Sequence, residues 1–335
     1  MTTENLSPVD DPTAFQRLLP VHDLILSHLS GLAPTTYLLL SKYYYDKLVR
    51  SLYSYFTPDL STLHGLTYPS PRNQRTLNAL SQTSTLVISL QSSWALFRAT
   101  KGIQPFYKAH KELFRNVQNI HFTWKALQAR ISGTPTPGNG LRIENNLWFH
   151  VKNPIKHLII DIESHGSDSA LFNSFLSTQL YWEILVMLKS FKPTSATWRY
   201  LIHREDINPW GLDTYIEVSA RIWCDGIDGL HKVTTVFLPT RPNLNNPGHR
   251  DGPSDFRIKV TQIVDQLVEL VNEKMKKRAL SNEVIQAGDR GGNSGSRNFE
   301  DLPRWTLEVE EADGKVVESR VLMRLDHGRY DFVPN

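Results

Sequence analysis

Ile155-Lys156-His157-Leu158-Ile159-Ile160, running on to Asp161-Ile162-Glu163, is the stretch that decides the fold. It is short, rich in Ile, and directly followed by a long helical pattern. From Ser169 to Phe191, Leu171, Phe175, Leu176, Leu180, Ile184 and Leu188 recur at helical spacing. A strand of nearly continuous apolar character beside such a helix is what a sheet built from crossover units requires. Similar strand-like runs lie on either side: Thr85–Leu90, Val117–Trp124, Thr197–His203, Tyr215–Trp223 and Lys232–Leu238. Phe106–Arg115 reads as a further helix between two of them. The expected class is therefore α/β, a compact domain with a largely parallel sheet.

The runs at 117, 156 and 197 are spaced by roughly 40 residues, which raises a repeat as the alternative. Val117-Gln118-Asn119-Ile120 beside Ile155-Lys156-His157-Leu158 shares a loose pattern without a fixed consensus. The alternative architecture is an irregular leucine-rich-repeat-like solenoid. Asp225-Gly226-Ile227-Asp228-Gly229 is turn chemistry, and it predicts an antiparallel pair between 215–223 and 232–238.

Toward the C-terminus, Ser254–Ala279 predicts a helix, with Val260, Ile263, Val264, Leu267, Val271 and Met275 on one face. Residues 281–300 read as a Gly/Ser/Asn-rich linker. Residues 301–335 predict a hairpin: Trp305, Leu307 and Val309 alternate, Asp313-Gly314 turns, and Val317, Val321, Met323 and Leu325 return. The α/β domain is bounded at about 80–280. Before it stand a disordered leader at 1–14 and a helical module at 15–60.

Composition narrows function more than it assigns it. The chain has 335 residues, with 37 Lys+Arg against 34 Asp+Glu and a net charge of +3. That balance argues against a protein whose main task is gripping nucleic acid. One cysteine, Cys224, excludes an internal disulfide framework and a multi-cysteine zinc site. No basic, apolar leader and no apolar stretch near bilayer length are visible, so a soluble intracellular protein, cytoplasmic or nuclear, is expected.

The chemistry-bearing residues each have a plainer role as well. His157, Asp161 and His165 have metal-like numbering, but strand residues four apart stand about 13 Å apart and cannot share an ion. Asp161 and Glu163 are better placed. Two apart on a strand, they share a face at about 7 Å and would lie at the strand's carboxyl end, where α/β ligand sites form. They are the acidic-site candidate, for Mg²⁺ or for acid–base work. Cys224 with His231 would need thiolate chemistry, and the lone cysteine reads more simply as a small core residue. His203-Arg204-Glu205-Asp206 lacks the accompanying phosphate loop of a kinase, and no Gly-x-Ser-x-Gly elbow occurs. Lys274–Arg278 suits a helix C-terminus. No cofactor and no resident metal are expected.

The N-terminal module carries the functional lead. Leu18-Leu19-Pro20-Val21-His22-Asp23-Leu24-Ile25-Leu26-Ser27-His28-Leu29 is followed by Leu38-Leu39-Leu40-Ser41-Lys42-Tyr43-Tyr44 and Ser51-Leu52-Tyr53. Gly31 and Pro34 break the pattern, and Ser51–Phe56 predicts a third short helix. Over about residues 18–56 this resembles an F-box, as found in fungal proteins of unknown substrate. His22 stands where that family often has Glu. The resemblance implies a three-helix module that docks a Skp-family adaptor of a cullin-RING ubiquitin ligase. The implied contact residues are Leu19, Pro20, Leu24, Ile25, Leu29, Leu38 and Leu40. It implies a non-enzymatic substrate-recognition subunit whose remaining domain binds a substrate protein. The alternatives are an α/β enzyme centred on Asp161 and Glu163, or a scaffold that has lost the adaptor.

Overall fold

A computed structural model describes residues 24–29, 31–33, 42–59, 74–90, 113–131, 154–163, 170–202, 218–223, 229–239, 303–310, 316–324 and 330–334. It also describes isolated helical positions between 265 and 276. The leader, the linker, Leu19, Pro20, Leu38, Leu40, His165, the 203–206 cluster and Cys224 lie outside the described residues. The chain divides into two compact units, Met1–Ser54 and Tyr55–Asn335.

In the first unit, residues 24–29 and 31–32 are helical, and the Ala33 amide donates to the Leu29 carbonyl at 2.8 Å. Gly31 therefore does not break that helix. Helix α1 spans Lys42–Ser54. The separate third helix expected at Ser51–Phe56 is absent: Leu48-Val49-Arg50 contains no helix breaker, so one helix runs through to Ser54. Tyr55–Phe56 is instead strand β1 of the second unit.

The second unit is built on one sheet. Its strands are β1, β2 (Thr85–Ile88), β3 (Asn119–Phe122), β4 (His157–Glu163), β5 (Ser195–Ile202), β6 (Lys232–Pro239), β7 (Arg304–Glu310), β8 (Val316–Arg324) and β9 (Tyr330–Pro334). Spatial order equals chain order, and β1 to β7 are all parallel. β8 and β9 close the sheet antiparallel. The described helices are α2 (Gln74–Leu80), α3 (Trp124–Ile131), α4 (Ala170–Phe191) and the helical residues 218–223. The class is α/β with a mixed, mostly parallel sheet.

The stacking follows from three buried columns of side chains, placed relative to one level of the sheet. Thr85, Asn119, His157, Ser195, Lys232 and Arg304 stand at one level of the sheet. One residue on, Leu86, Ile120, Leu158, Ala196, Val233 and Trp305 are each 0% exposed. Three residues on, Ile88, Phe122, Ile160, Trp198, Thr235 and Leu307 are buried as completely. Two residues before the level, Thr83, Val117, Ile155, Pro193 and Leu230 are buried in turn. Each large apolar side chain so buried contributes about 1.5–3 kcal/mol of transfer free energy.

A sheet whose parallel strands follow chain order, joined by right-handed crossovers, collects its helices on one side. On the other side, among the described residues, Val87, His121, Thr234, Val236 and Thr306 are buried, while His157, Ile159, Asp161 and Glu163 are half-buried. β4 accordingly alternates between half-buried and buried, with Leu158, Ile160 and Ile162 inward and His157, Ile159, Asp161 and Glu163 outward. It is not the doubly covered strand that its Ile content predicts.

Two further expectations are corrected. Residues 218–223 are helical, not a strand, and β6 pairs parallel with both β5 and β7. Val218, Ser219, Ala220, Ile222 and Trp223 are all buried, while the Arg221 guanidinium sits 4.4 Å from the centre of the Tyr181 ring. A short apolar run buried nearly all round has no periodicity to tell helix from strand. Leu113–Asn116 forms a turn rather than the end of a helix, and the Val117 amide donates to the Phe114 carbonyl at 3.1 Å.

Candidate functional site

The face that carries His157, Asp161 and Glu163 holds a chain of polar contacts across β1, β3, β4 and β5. Asp161 lies in the carboxyl half of β4, with Arg199 as its register partner on β5. His121 on β3 is level with Ile159, one same-face position below Asp161. The His121 ring reaches Asp161 diagonally, Nε2 to Oδ2, at 2.8 Å. A carboxylate only accepts, so Nε2 carries the hydrogen. In the neutral ring Nδ1 then accepts from the Tyr55 hydroxyl of β1, and the two rings meet edge to face. His121 and Asp161 are nearly buried, at 7% and 14% side-chain exposure.

Arg199 Nη1 stands 3.5 Å from Asp161 Oδ1. That is close enough for attraction between charges, yet Oδ1 is buried and accepts no hydrogen bond. Burial pushes the Tyr55 hydroxyl above its ordinary range, the Asp161 charge adds to this, and Arg199 opposes it. At the far side of the face, burial raises the Glu310 carboxyl, with Arg199 pulling it down and Glu308 pushing it up.

Asp161 and Glu163 share the face, as their spacing requires. The structure does not leave Asp161 as an open acid–base group, because His121 and Arg199 hold it. His157 is held separately. Ser195 Oγ donates to the Lys156 carbonyl, so it accepts from His157 Nδ1 at 2.7 Å, and Thr197 Oγ1 donates to Nε2 at 3.1 Å. His157 and Asp161 thus have different partners. Among the described residues, no group of three or more His, Cys, Asp or Glu is arranged to hold a metal ion.

Tyr55, His121 and Arg199 were missed by sequence reasoning. Only the register between strands brings them to Asp161, and no local motif records it.

His157 gives a pH prediction. Burial holds its pKa below 6.5, Lys232 adds to the shift, and the bond to Ser195 opposes it. Above 6.5 the ring is neutral in both folded and unfolded chains. Between 6.5 and the lowered folded value, the unfolded chain takes up a proton that the native chain refuses. Stability therefore falls as pH is lowered through that window, then levels off once the native ring also protonates. Urea midpoints at several pH values should show a shallower fall for His157→Gln than for wild type. Equal slopes would remove His157 from the account.

The first unit presents a different surface. Leu24 and Ile25 are 59% and 58% exposed and Leu32 is 85% exposed, while Leu26 and Val49 are buried and Leu29 is half-buried. Leu26, which the sequence reading left out of the contact set, is the inward residue of this turn.

A family described as a protein of unknown function (DUF3760) matches residues 15–58. The matched stretch covers most of the first unit and a few residues beyond it. No curated protein matches the chain. No solved structure matches it. Among the described residues, no helix is long and apolar enough to cross a membrane.

Proposed function

We propose that this chain is a non-enzymatic recognition subunit of a cullin-RING ubiquitin ligase in the cytoplasm or nucleus. Its first unit docks a Skp-family adaptor, and its second unit holds a substrate protein. The observation that carries the reading is the exposure of Leu24 and Ile25 on a separate helical unit. Both belong to the stretch that resembles an F-box. Adjacent large apolar residues turned to solvent on so small a unit are the form a docking surface takes. Tethering a substrate needs no covalent chemistry from the subunit, since it acts by raising local concentration.

The finer reading of the second unit is a leucine-rich-repeat-like solenoid. Val117-x-x-Ile120-x-Phe122 and Ile155-x-x-Leu158-x-Ile160 follow the apolar spacing of that repeat, as do Thr83-x-x-Leu86-x-Ile88 and Pro193-x-x-Ala196-x-Trp198. The order of strands in the sheet supports it. Stacked repeats of this kind offer an extended surface for a protein partner.

The test is a pulldown of the full-length chain with a purified Skp-family adaptor. Leu24→Asp with Ile25→Asp should weaken capture by roughly tenfold or more, as for anchor residues of an interface, with an unchanged circular dichroism spectrum. Leu19→Ala with Pro20→Ala is the companion variant. No capture by the wild type would overturn the adaptor reading and leave a scaffold or the acidic-site enzyme.

A further inference from the structure

Helix α4 is apolar on every side. Leu180, Ile184, Met187, Leu188 and Phe191 face inward and are at most 3% exposed. On the outward side Trp182 is 51% exposed, Val186 is half-buried, and Thr178 and Lys189 are exposed. By the helical period, positions 171 and 175, a leucine and a phenylalanine, fall on that side too. The stripe Leu171, Phe175, Thr178, Trp182, Val186, Lys189 advances by steps of three and four residues, the spacing of a seam between two packed helices. A helix apolar all round is one that is covered all round. Trp182 also stands apart from the other described tryptophans: Trp124, Trp198, Trp223 and Trp305 are at most 3% exposed.

The charges beside Trp182 are already engaged within the chain. Arg130 donates to Glu183 Oε2 from Nε at 3.0 Å and from Nη2 at 2.7 Å. The Arg221 guanidinium lies over the Tyr181 ring, which meets Trp182 edge to face at 5.3 Å. Lys189 is the one charge on the stripe, and it stands at the end. An acidic or basic partner would find only that single charge to recognise.

A stripe with its large aromatic at the centre and its charge at one end suits a second copy of itself run antiparallel. A two-fold axis at Trp182 brings Trp182 onto Trp182, Thr178 level with Val186, and Phe175 level with Lys189. The two Lys189 then stand about 21 Å apart, beyond the roughly 8 Å screening length at physiological salt. Each is level with a phenylalanine of the other copy, and aromatic faces attract cations. A parallel pair would instead set Lys189 against Lys189.

We propose that a second copy of this chain docks on the outward side of α4, in an antiparallel two-fold pair of α4 helices centred on Trp182. Closed two-fold pairs are the commonest assembly of identical chains, because one self-complementary patch serves both. One helix pair about 21 Å long is a small contact, so the dimer is a weak one that forms as concentration rises. Pairing doubles the binding sites on one assembly and so raises avidity for a partner with two attachment points. This goes beyond the recognition reading and does not depend on it.

The experiment is sedimentation velocity of the full-length chain from about 1 to about 200 μM. The weight-average sedimentation coefficient of the wild type should rise with concentration toward that of a dimer. Trp182→Asp should weaken the dimer by roughly tenfold or more, as for the anchor of an interface, with an unchanged circular dichroism spectrum. Thr178→Lys and Val186→Glu should each weaken it. The two together should restore it, since the antiparallel pair sets position 178 against position 186 and a cation then meets a carboxylate. Such rescue separates a lost contact from a damaged fold. Lys125→Glu, an exposed change on α3, should leave the dimer intact.

A wild type that stays monomeric throughout would overturn the proposal and leave the stripe to a different protein. So would a dimer that survives Trp182→Asp, which would place the contact elsewhere. A double variant no tighter than either single, the result expected of a parallel pair, would overturn it as well.

Discussion

Trp305→Ala is expected to lower the stability of the second unit by about 4 kcal/mol. Trp305 is 0% exposed and begins the buried column of β7. Its ring meets Trp223 at a centroid distance of 5.5 Å and Phe332 edge to face at 5.5 Å. It therefore joins the helical residues 218–223, strand β7 and the edge strand β9. Its Nε1–H donates to Thr235 Oγ1 on β6 at 2.9 Å. Truncation opens a cavity among three elements and strands a hydroxyl that is 1% exposed. Trp305→Phe keeps most of the ring contacts and loses the hydrogen bond, so about 1–2 kcal/mol is expected. Urea unfolding followed by far-ultraviolet circular dichroism should place the Ala midpoint more than about 1 M below wild type. A midpoint within the scatter of the wild type would mean that β7 to β9 do not unfold with the rest. Stacked strands that touch only their neighbours can behave in that way.

Strands β2 to β6 were legible because each is a short run of apolar and β-branched residues bounded by polar turns. The 22 residues of α4 were legible because length alone separates a helix of that kind from a strand. The pairing of Trp305 with Trp223 was not, since it joins two segments by burial rather than by pattern. β1 is two residues long, too short for any periodicity, and β9 carries Pro334 at its end. The order of strands was hidden by the connection from β6 to β7. Levels at 85, 119, 157, 195 and 232 recur at a nearly steady interval, and the next comes only at 304. The same-face placement of Asp161 and Glu163 followed from the two-residue period. Their neighbours did not, because a partner across a sheet depends on register, which is fixed by the buried columns as a whole.

That register makes Asp161 the residue whose removal best separates the recognition reading from the enzymatic one. Asp161→Ala takes the acceptor from His121 Nε2–H, in a ring only 7% exposed, and the counter-charge from Arg199. Tyr55 keeps its bond to His121 Nδ1, but nothing then fixes the other side of the ring. Leaving a buried donor without its acceptor and a cation without its counter-charge should cost about 3 kcal/mol. Asp161→Asn can still offer an oxygen to His121 but no charge to Arg199, so about half that loss is expected. Glu163→Gln, half-buried on the same strand face, keeps the side chain's size and an accepting oxygen and should lose less than Asp161→Asn. This gradation identifies the carboxylate as a brace between β3 and β5. A general acid or base would give a different pattern: little stability lost at Asp161, comparable effects at Asp161 and Glu163, and a stability gain on replacing either by its neutral isostere, since sites poised for chemistry hold strained charge. Urea midpoints of the three variants decide between these patterns before any substrate is known.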